Sequence, residues 1–342
     1  MTRVRFGLIG YGAWGRHHAA AIRDAPGLTL AGVACRGEAS AAAAGRDLPG
    51  VAVYRDYREL LRDASIEAVD VVTPNHLHAE IGVAALEAGK DVLLEKPMAV
   101  TTAECDWLIA AAARNGRVLS IGHELRLSTQ WAAIKAMLDA GEIGEPRYAL
   151  ISLFRSPYRP GADGWRYAVD RVGSWSLEEP VHFFDFLMWY FEPLGDPTSV
   201  LAVGNSHGRP AGMSDNFSAV LRFPRGLYAL VTQTLAGFEH HHVVEIVGTE
   251  GAIRTWWSAA TARTLEPAFE LKVQRRGTTA CETLKLAPSG ELFELAEEIR
   301  QTAAAFRERR PLVSGVEARK RVHVCLEAER SLREGRELSL QF

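Results

Sequence analysis

Apolar and polar positions alternate in two different rhythms along this chain. In the first third, short apolar runs at 4–9, 28–34, 68–73, 92–94 and 117–121 are separated by segments with helical spacing at 16–23, 57–61, 78–89 and 102–115. Strand and helix in alternation predict parallel strands joined by crossover helices, in two βαβαβ halves that place the run at 117–121 as a sixth strand although five runs are distinct. After a helix at 130–140, the rhythm changes to a period of two, with strands predicted at 147–154, 199–203, 217–223, 227–234, 243–247 and 252–256. The turn Pro224-Arg225-Gly226 joins two of these and marks an antiparallel pair. Helices are predicted at 180–190, 291–307 and 316–333.

At 342 residues the chain is long for one core, and the change of rhythm places a domain boundary between 122 and 123, giving domains 1–122 and 123–342. The 47% hydrophobic and 24% charged fractions are those of an ordinary globular protein. A net charge of -3 supplies no global attraction for nucleic acid, and no apolar run is long enough to span a bilayer. The N-terminus enters a strand almost at once, leaving no room for a signal peptide, so a cytoplasmic setting is expected. Cys35, Cys105, Cys281 and Cys325 are scattered, without CxxC or zinc-type spacing, and read as free thiols with no metal bound. Neighbours in His240-His241-His242 point to opposite faces of a strand and do not all reach one ion, so a solvated or pocket-lining role is expected for them.

Gly10-Tyr11-Gly12-Ala13-Trp14-Gly15 follows the first strand and opens the first helix, the order a dinucleotide-binding turn requires. Gly10 permits the tight turn, Gly12 lets backbone approach a pyrophosphate, and Gly15 lets helix and strand pack closely. Tyr11 and Trp14 are candidates to flank a nicotinamide or cover the phosphates; packing a cleft between domains is the alternative. His17 and His18 on the helix read as packing or surface residues. About 20 residues past the glycines, where an NAD-selective site places a carboxylate, this chain has Cys35 and then Arg36. A guanidinium there matches a 2′-phosphate and favours NADP over NAD, while Glu38 remains a candidate for the ribose. Thr73-Pro74-Asn75-His76-Leu77-His78 is a turn after the 68–73 strand, with Asn75 as an N-cap and Thr73, Pro74, Asn75 and His78 along the nicotinamide half. The apolar run 92–94 ends in Glu95-Lys96-Pro97, which brings an amine to the carboxyl edge of the sheet, where open α/β sheets bind ligands. An ion pair of purely structural purpose is the competing reading of Lys96.

Taken together with Gly164-Trp165-Arg166 and the run 173–185, these motifs resemble the Gfo/Idh/MocA family of NAD(P)-dependent sugar and polyol oxidoreductases. The resemblance implies an α/β Rossmann domain followed by an α+β domain with a large open, mostly antiparallel sheet. It implies His182 and Asp185 at positions where the family carries histidine and aspartate, with Glu178 in place of its usual aspartate and Pro180 in place of a glycine. Pro180 is tolerable if it begins the helix that continues to residue 190. By the same resemblance Trp165 and Arg166 reach the cofactor, and Arg126 faces the substrate. Tyr158, in a Pro-flanked loop, is a further substrate candidate.

Oxidising a secondary alcohol takes a proton from oxygen and a hydride from carbon, so it needs a base near neutral pKa and a group that holds the alkoxide. His182 is expected to be the base, Lys96 the polarising group, and Glu178 either orients the imidazole or meets a substrate hydroxyl. The expected function is hydride transfer between NADP or NAD and a hydroxyl or carbonyl carbon of a sugar, polyol or inositol-like compound. Reduction of another carbonyl or imine on the same fold, or dinucleotide sensing without chemistry, are the alternatives. Covering the open sheet face calls for a homodimer or homotetramer.

Overall fold

The computed structural model describes residues 3–206 and 212–342. The chain folds into two compact units, the first formed by 1–123, 170–173 and 295–322, the second by 124–169, 174–294 and 323–342.

In the first unit β1 (Val4–Ile9), α1 (Gly15–Asp24), β2 (Leu28–Ala34), α2 (Glu38–Asp47), β3 (Ala52–Tyr54), α3 (Tyr57–Arg62), β4 (Ala68–Val71), α4 (His78–Glu87), β5 (Asp91–Glu95), α5 (Thr102–Asn115) and β6 (Leu119–Gly122) follow one another. The sheet has the order β3-β2-β1-β4-β5-β6, every pair parallel, so the loops after β1 and β4 diverge at the point where strand order reverses. This is the doubly wound α/β arrangement expected from the alternation. The predicted strand at 68–73 stops at Val71, and the sixth starts at Leu119 rather than 117. Asn75 is not the N-cap of α4: it opens a short 3-10 turn, Asn75–Leu77, and its amide donates to Val172 O at 3.1 Å. The core of this unit joins Phe6, Leu8 and Val33 to Leu295, Ile299, Ala303 and Phe306 from far along the chain, with the Phe6 and Phe306 rings stacked at 6.0 Å. Each of the larger side chains among these contributes roughly 1.5–3 kcal/mol when removed from water.

The rest of the chain supplies α6 (Thr129–Asp139), β7 (Pro146–Arg155), α7 (Val169–Val172), α8 (Trp175–Glu178), α9 (Pro180–Tyr190), β8 (Ser199–Asn205), β9 (Asn216–Arg222), β10 (Tyr228–Thr234), β11 (His240–Gly248), β12 (Ala252–Ala259), β13 (Ala268–Gln274), β14 (Cys281–Thr283), α10 (Glu291–Arg307), α11 (Gly315–Glu334) and β15 (Leu338–Ser339). Among the described residues the nine strands are ordered β14-β13-β12-β11-β7-β10-β9-β8-β15. Of the pairs, β7 with β10 is parallel and the others are antiparallel, in line with the expected mostly antiparallel sheet. Strand alternation buries Ala149, Ile151 and Leu153 of β7 with Ala229 and Val231 of β10 on one face, and leaves the intervening positions partly exposed. β13, β14 and β15 were not anticipated, and β11 starts three residues earlier than its apolar run because the histidines themselves are strand residues. Among the described residues no helix is long and apolar enough to cross a membrane.

Candidate active site

Two of the three glycines of the first turn, Gly10 and Gly15, have a steric reason. Gly10 has φ 109°, and a Cβ there would lie 2.1 Å from Val72 O; a Cβ on Gly15 would lie 2.1 Å from Gly10 O. Around Gly12 a Cβ would meet nothing within 4 Å, so the fold itself makes no demand for glycine there. A ligand lying against that backbone would make it. Gly12 and Ala13 are exposed, and α1 begins at Gly15 with no side-chain cap and no acid in its first turn, so the positive end of the helix meets no protein carboxylate there, although Arg16 N–H donates to Gly12 O and His17 N–H to Trp14 O. Thr73 Oγ1 is buried with no hydrogen-bond partner among the described residues. An open glycine, an uncapped helix start and an orphaned hydroxyl fit a dinucleotide. Tyr11 turns into the core of the first unit, its hydroxyl 3.4 Å from Asp47, and burial followed by the Asp47 charge raises its pKa.

At the end of β2 the Cys35 thiol is buried and its pKa is raised by desolvation, while Arg36 is exposed. Arg55, which sequence reasoning overlooked, donates to Arg36 O at 2.8 Å and brings a second guanidinium to this strand end.

Glu95 ends β5 and is buried, with Lys96 half-buried beside it. The Lys96 N–H donates to Glu95 Oε2 at 3.1 Å, and the Lys96-Pro97 peptide is cis. Trp14 Nε1 donates to Glu95 Oε1 at 2.8 Å, so this indole serves the Glu95 carboxylate. Beneath it His18, on the face of α1 that packs on the sheet, places Nδ1 2.7 Å from Asp70 and Nε2 3.0 Å from Glu95. Burial alone would pull the His18 imidazole down; the two carboxylates outweigh it and push the ring up to about 10. Glu95 is lowered: His18, then Lys96 and Trp14, overcome the burial that would raise it. Glu298, buried nearby on α10, is held well above the usual carboxylate range by desolvation and by Glu95. His78 is fully buried, with Nδ1 2.7 Å from Pro97 O and Nε2 2.9 Å from Thr73 O, and so ties the loops after β4 and β5 together.

The second unit holds the remaining candidates. Pro180 does begin α9, and His182 lies in the first turn, 4% exposed. The carboxylate opposite its Nε2 is Glu124 Oε1 at 3.9 Å, a residue not singled out from the sequence. Glu178 pairs with Arg166, whose guanidinium also lies 4.4 Å from the Trp165 ring centroid, so these three candidates do come together. Arg126 grips Asp185 with two bonds, Nε to Oδ2 at 2.8 Å and Nη2 to Oδ1 at 2.5 Å. Tyr158 is buried: its hydroxyl donates to Gln233 Oε1 at 3.1 Å and its ring packs edge-on against Trp175. His240 and His242, expected to be solvated or pocket-lining, are buried on one face of β11. Desolvation, with Arg155 nearby, lowers His240 to about 3.

Two family models cover most of the chain: "Oxidoreductase family, NAD-binding Rossmann fold" matches residues 4–123, and "GFO/IDH/MocA C-terminal domain" matches 131–254. The chain belongs to the Gfo/Idh/MocA oxidoreductase family. Within the family it is 34% identical over 254 residues to the uncharacterized oxidoreductase YdgJ of Escherichia coli (strain K12), covering 73% of this chain and 70% of that protein. It is 32% identical over 253 residues to the 1,5-anhydro-D-fructose reductase of Ensifer adhaerens, covering 73% and 74%. A levoglucosan dehydrogenase solved with NADH and levoglucosan superposes over 100% of both chains with a TM-score of 0.82 at 22% identity, which is a likeness of fold.

As a Gfo/Idh/MocA chain, this protein carries buried groups that sequence reasoning passed over. His18, a packing or surface residue by its place in the sequence, is an enclosed ion-pair partner. Its signal was Asp70, an acid inside the apolar strand Ala68–Val71 that must find a partner. Glu124 and Glu298 gave no comparable signal.

Proposed function

We propose that this oxidoreductase moves a hydride between NAD(P) and a hydroxyl-bearing carbon of a sugar, polyol or inositol-like substrate, with Lys96 polarising the reacting oxygen and His182 exchanging its proton. The observation that carries this reading is the placement of Lys96: half-buried, at the carboxyl edge of a parallel sheet, on a Glu95 carboxylate that His18 and Trp14 hold in place. When bound, the nicotinamide supplies the hydride acceptor or donor. In the oxidising direction the substrate hydroxyl gives its proton to His182 while the C–H electron pair leaves as hydride, and the Lys96 ammonium stabilises the oxygen as its charge develops. Glu178 is assigned to substrate contact through its pair with Arg166, and Arg126 to fixing Asp185 on α9. Gly12, the α1 N-terminus, Thr73 and the Arg36 strand end would hold the dinucleotide.

The cofactor reading goes one step further, to NADP. The Arg55 guanidinium reaches the backbone of Arg36 at the end of β2, so two arginines belong to the strand end where a 2′-phosphate needs cations. Arg36→Ala is expected to weaken NADP binding about tenfold to a hundredfold and leave NAD binding nearly unchanged, read by fluorescence titration. Equal losses for both cofactors would remove the preference. The half-exposed face of the nine-stranded sheet, with Leu201, Val203 and Tyr228 outward, is assigned to a second copy of the chain, which a solution mass measurement tests. The four free cysteines suit a reducing, cytoplasmic setting.

The deciding experiment follows nicotinamide absorbance with a panel of cyclic polyols, aldoses and anhydro-sugars against both cofactors. Turnover on at least one hydroxyl-bearing ring, abolished in His182→Ala, is expected. Tight cofactor binding without turnover on any member would overturn the reading in favour of a dinucleotide sensor.

A further inference from the structure

We propose that Glu179, His240 and His242 form a site for one divalent transition-metal ion of the zinc class in the second unit, apart from the residues assigned to hydride transfer. Residues two apart on a strand share a face, and β11 therefore sets the His240 and His242 rings side by side, centroids 4.6 Å apart. Their Nε2 atoms point at each other across 2.5 Å. Glu179, immediately before α9, brings Oε1 to 3.9 Å from His240 Nε2, and the donor atoms of the three residues all lie within 4.8 Å of one another. All three residues are buried.

Several features make this a ligand set rather than a chance meeting. Two nitrogens that face each other share at most one proton, so at least one lone pair is aimed at the space between them. Two imidazoles and a carboxylate are the donors that borderline ions such as Zn2+ take, with water completing the shell. Bonds of about 2.0–2.1 Å at a tetrahedral angle put two nitrogens about 3.3 Å apart, so loading the site asks the rings to part by under about 1 Å, within reach of small side-chain rotations. Glu179 is oriented by Arg155, which donates to its Oε2 at 2.9 Å and leaves Oε1 toward the rings. Trp131, Phe183 and Trp257 pack around the imidazoles and limit their alternatives. The Arg155 charge offsets that of Glu179, so affinity must come from nitrogen donors. Zn2+ and Co2+ are favoured, and Mg2+ and Ca2+, which want several oxygens, are excluded.

The test is equilibrium dialysis of the chelator-treated full chain against Zn2+, with bound metal measured by elemental analysis. One Zn2+ per chain is expected, with none retained from Mg2+ or Ca2+. His242→Gln and Glu179→Gln are expected to weaken binding by more than the roughly 10–100-fold that loss of a mere supporting hydrogen bond costs. His241, whose ring lies on the opposite face against Trp256, is the internal control: His241→Gln leaves Zn2+ binding unchanged. Absence of stoichiometric Zn2+ in the unaltered protein, or binding that survives both ligand variants, overturns the site and leaves the pair as two histidines sharing a proton. Because a buried imidazole can be needed for folding, the Co2+ visible spectrum of the unaltered protein is the second readout. Intense bands of a four-coordinate site support the assignment, and the weak spectrum of hydrated Co2+ contradicts it.

Discussion

His18 in the first unit and His240 in the second are both buried imidazoles, yet they sit at opposite ends of the titration range. Burial lowers each of them. Beside Asp70 and Glu95, His18 is nevertheless pushed up to about 10, whereas His240, with Arg155 as its charged neighbour, is held at about 3. Enclosure is common to the two rings; carboxylates at 2.7 and 3.0 Å offset it for His18, whereas at His240 the Glu179 carboxylate stands off at 3.9 Å and the Arg155 charge adds to burial. The first unit thereby acquires a fixed cation under its sheet edge, which balances two carboxylates and anchors the residue next to Lys96. The second keeps a neutral ring.

Removing the cation should break the contrast most visibly. His18→Gln leaves Asp70 and Glu95 buried without their partner and is expected to cost about 3–5 kcal/mol in denaturant unfolding. His240→Gln removes a neutral ring and should cost distinctly less; equal losses would mean that the charge is incidental. A smaller effect separates fold from ligand in the glycine turn. Gly12→Ala is expected to leave stability within about 0.5 kcal/mol, since its Cβ has open space, while NADP affinity falls about tenfold. A stability loss with affinity intact would show that the fold, not a ligand, demands that glycine.

A further contrast lies in the pH dependence. The folded His18 pKa is raised, so its contribution is fully present below the unfolded value of about 6.5 and is lost as pH rises toward about 10. Glu298 is also raised, and an acid that stays protonated in the fold costs stability as pH climbs above about 4.3, where the unfolded chain ionises. Glu298→Gln should therefore flatten the decline between acid and neutral pH while the alkaline limb from His18 remains. An unchanged curve would show that Glu298 is ionised in the fold.

What was legible beforehand follows from what is local. The bounds of α5 were readable because Thr101 and Glu104 form a capping box and Gly116 closes the helix at φ 57°, and α9 was readable because Pro180 suits its first turn. The alternation of strand and helix pointed to the parallel sheet, and the glycine turn and Glu95-Lys96-Pro97 pointed to its ligand edge. Tertiary partners were not readable. Hydrophobic periodicity says which face of α10 is apolar, but not that Leu295, Ile299 and Phe306 pack against Phe6. The His18 pair joins groups from α1, β4 and β5, and no spacing rule spans 52 or 77 positions. Asn75 was misjudged as a cap because an Asx residue before a helix usually caps it, and here its amide is engaged by Val172 O. The histidine triplet as a whole does not share one face, but His240 and His242 do, and Glu179, which lies beside them, comes from a different element, a juxtaposition no local pattern shows.

The most direct measurement is steady-state turnover of Lys96→Ala on the best substrate of the panel, with cofactor affinity determined on the same preparation. Turnover lower by about a hundredfold to a thousandfold with cofactor binding retained is the predicted result. Turnover equal to that of the unaltered protein would remove Lys96 from the chemistry and, with it, the reason for the charged cluster beneath the sheet edge.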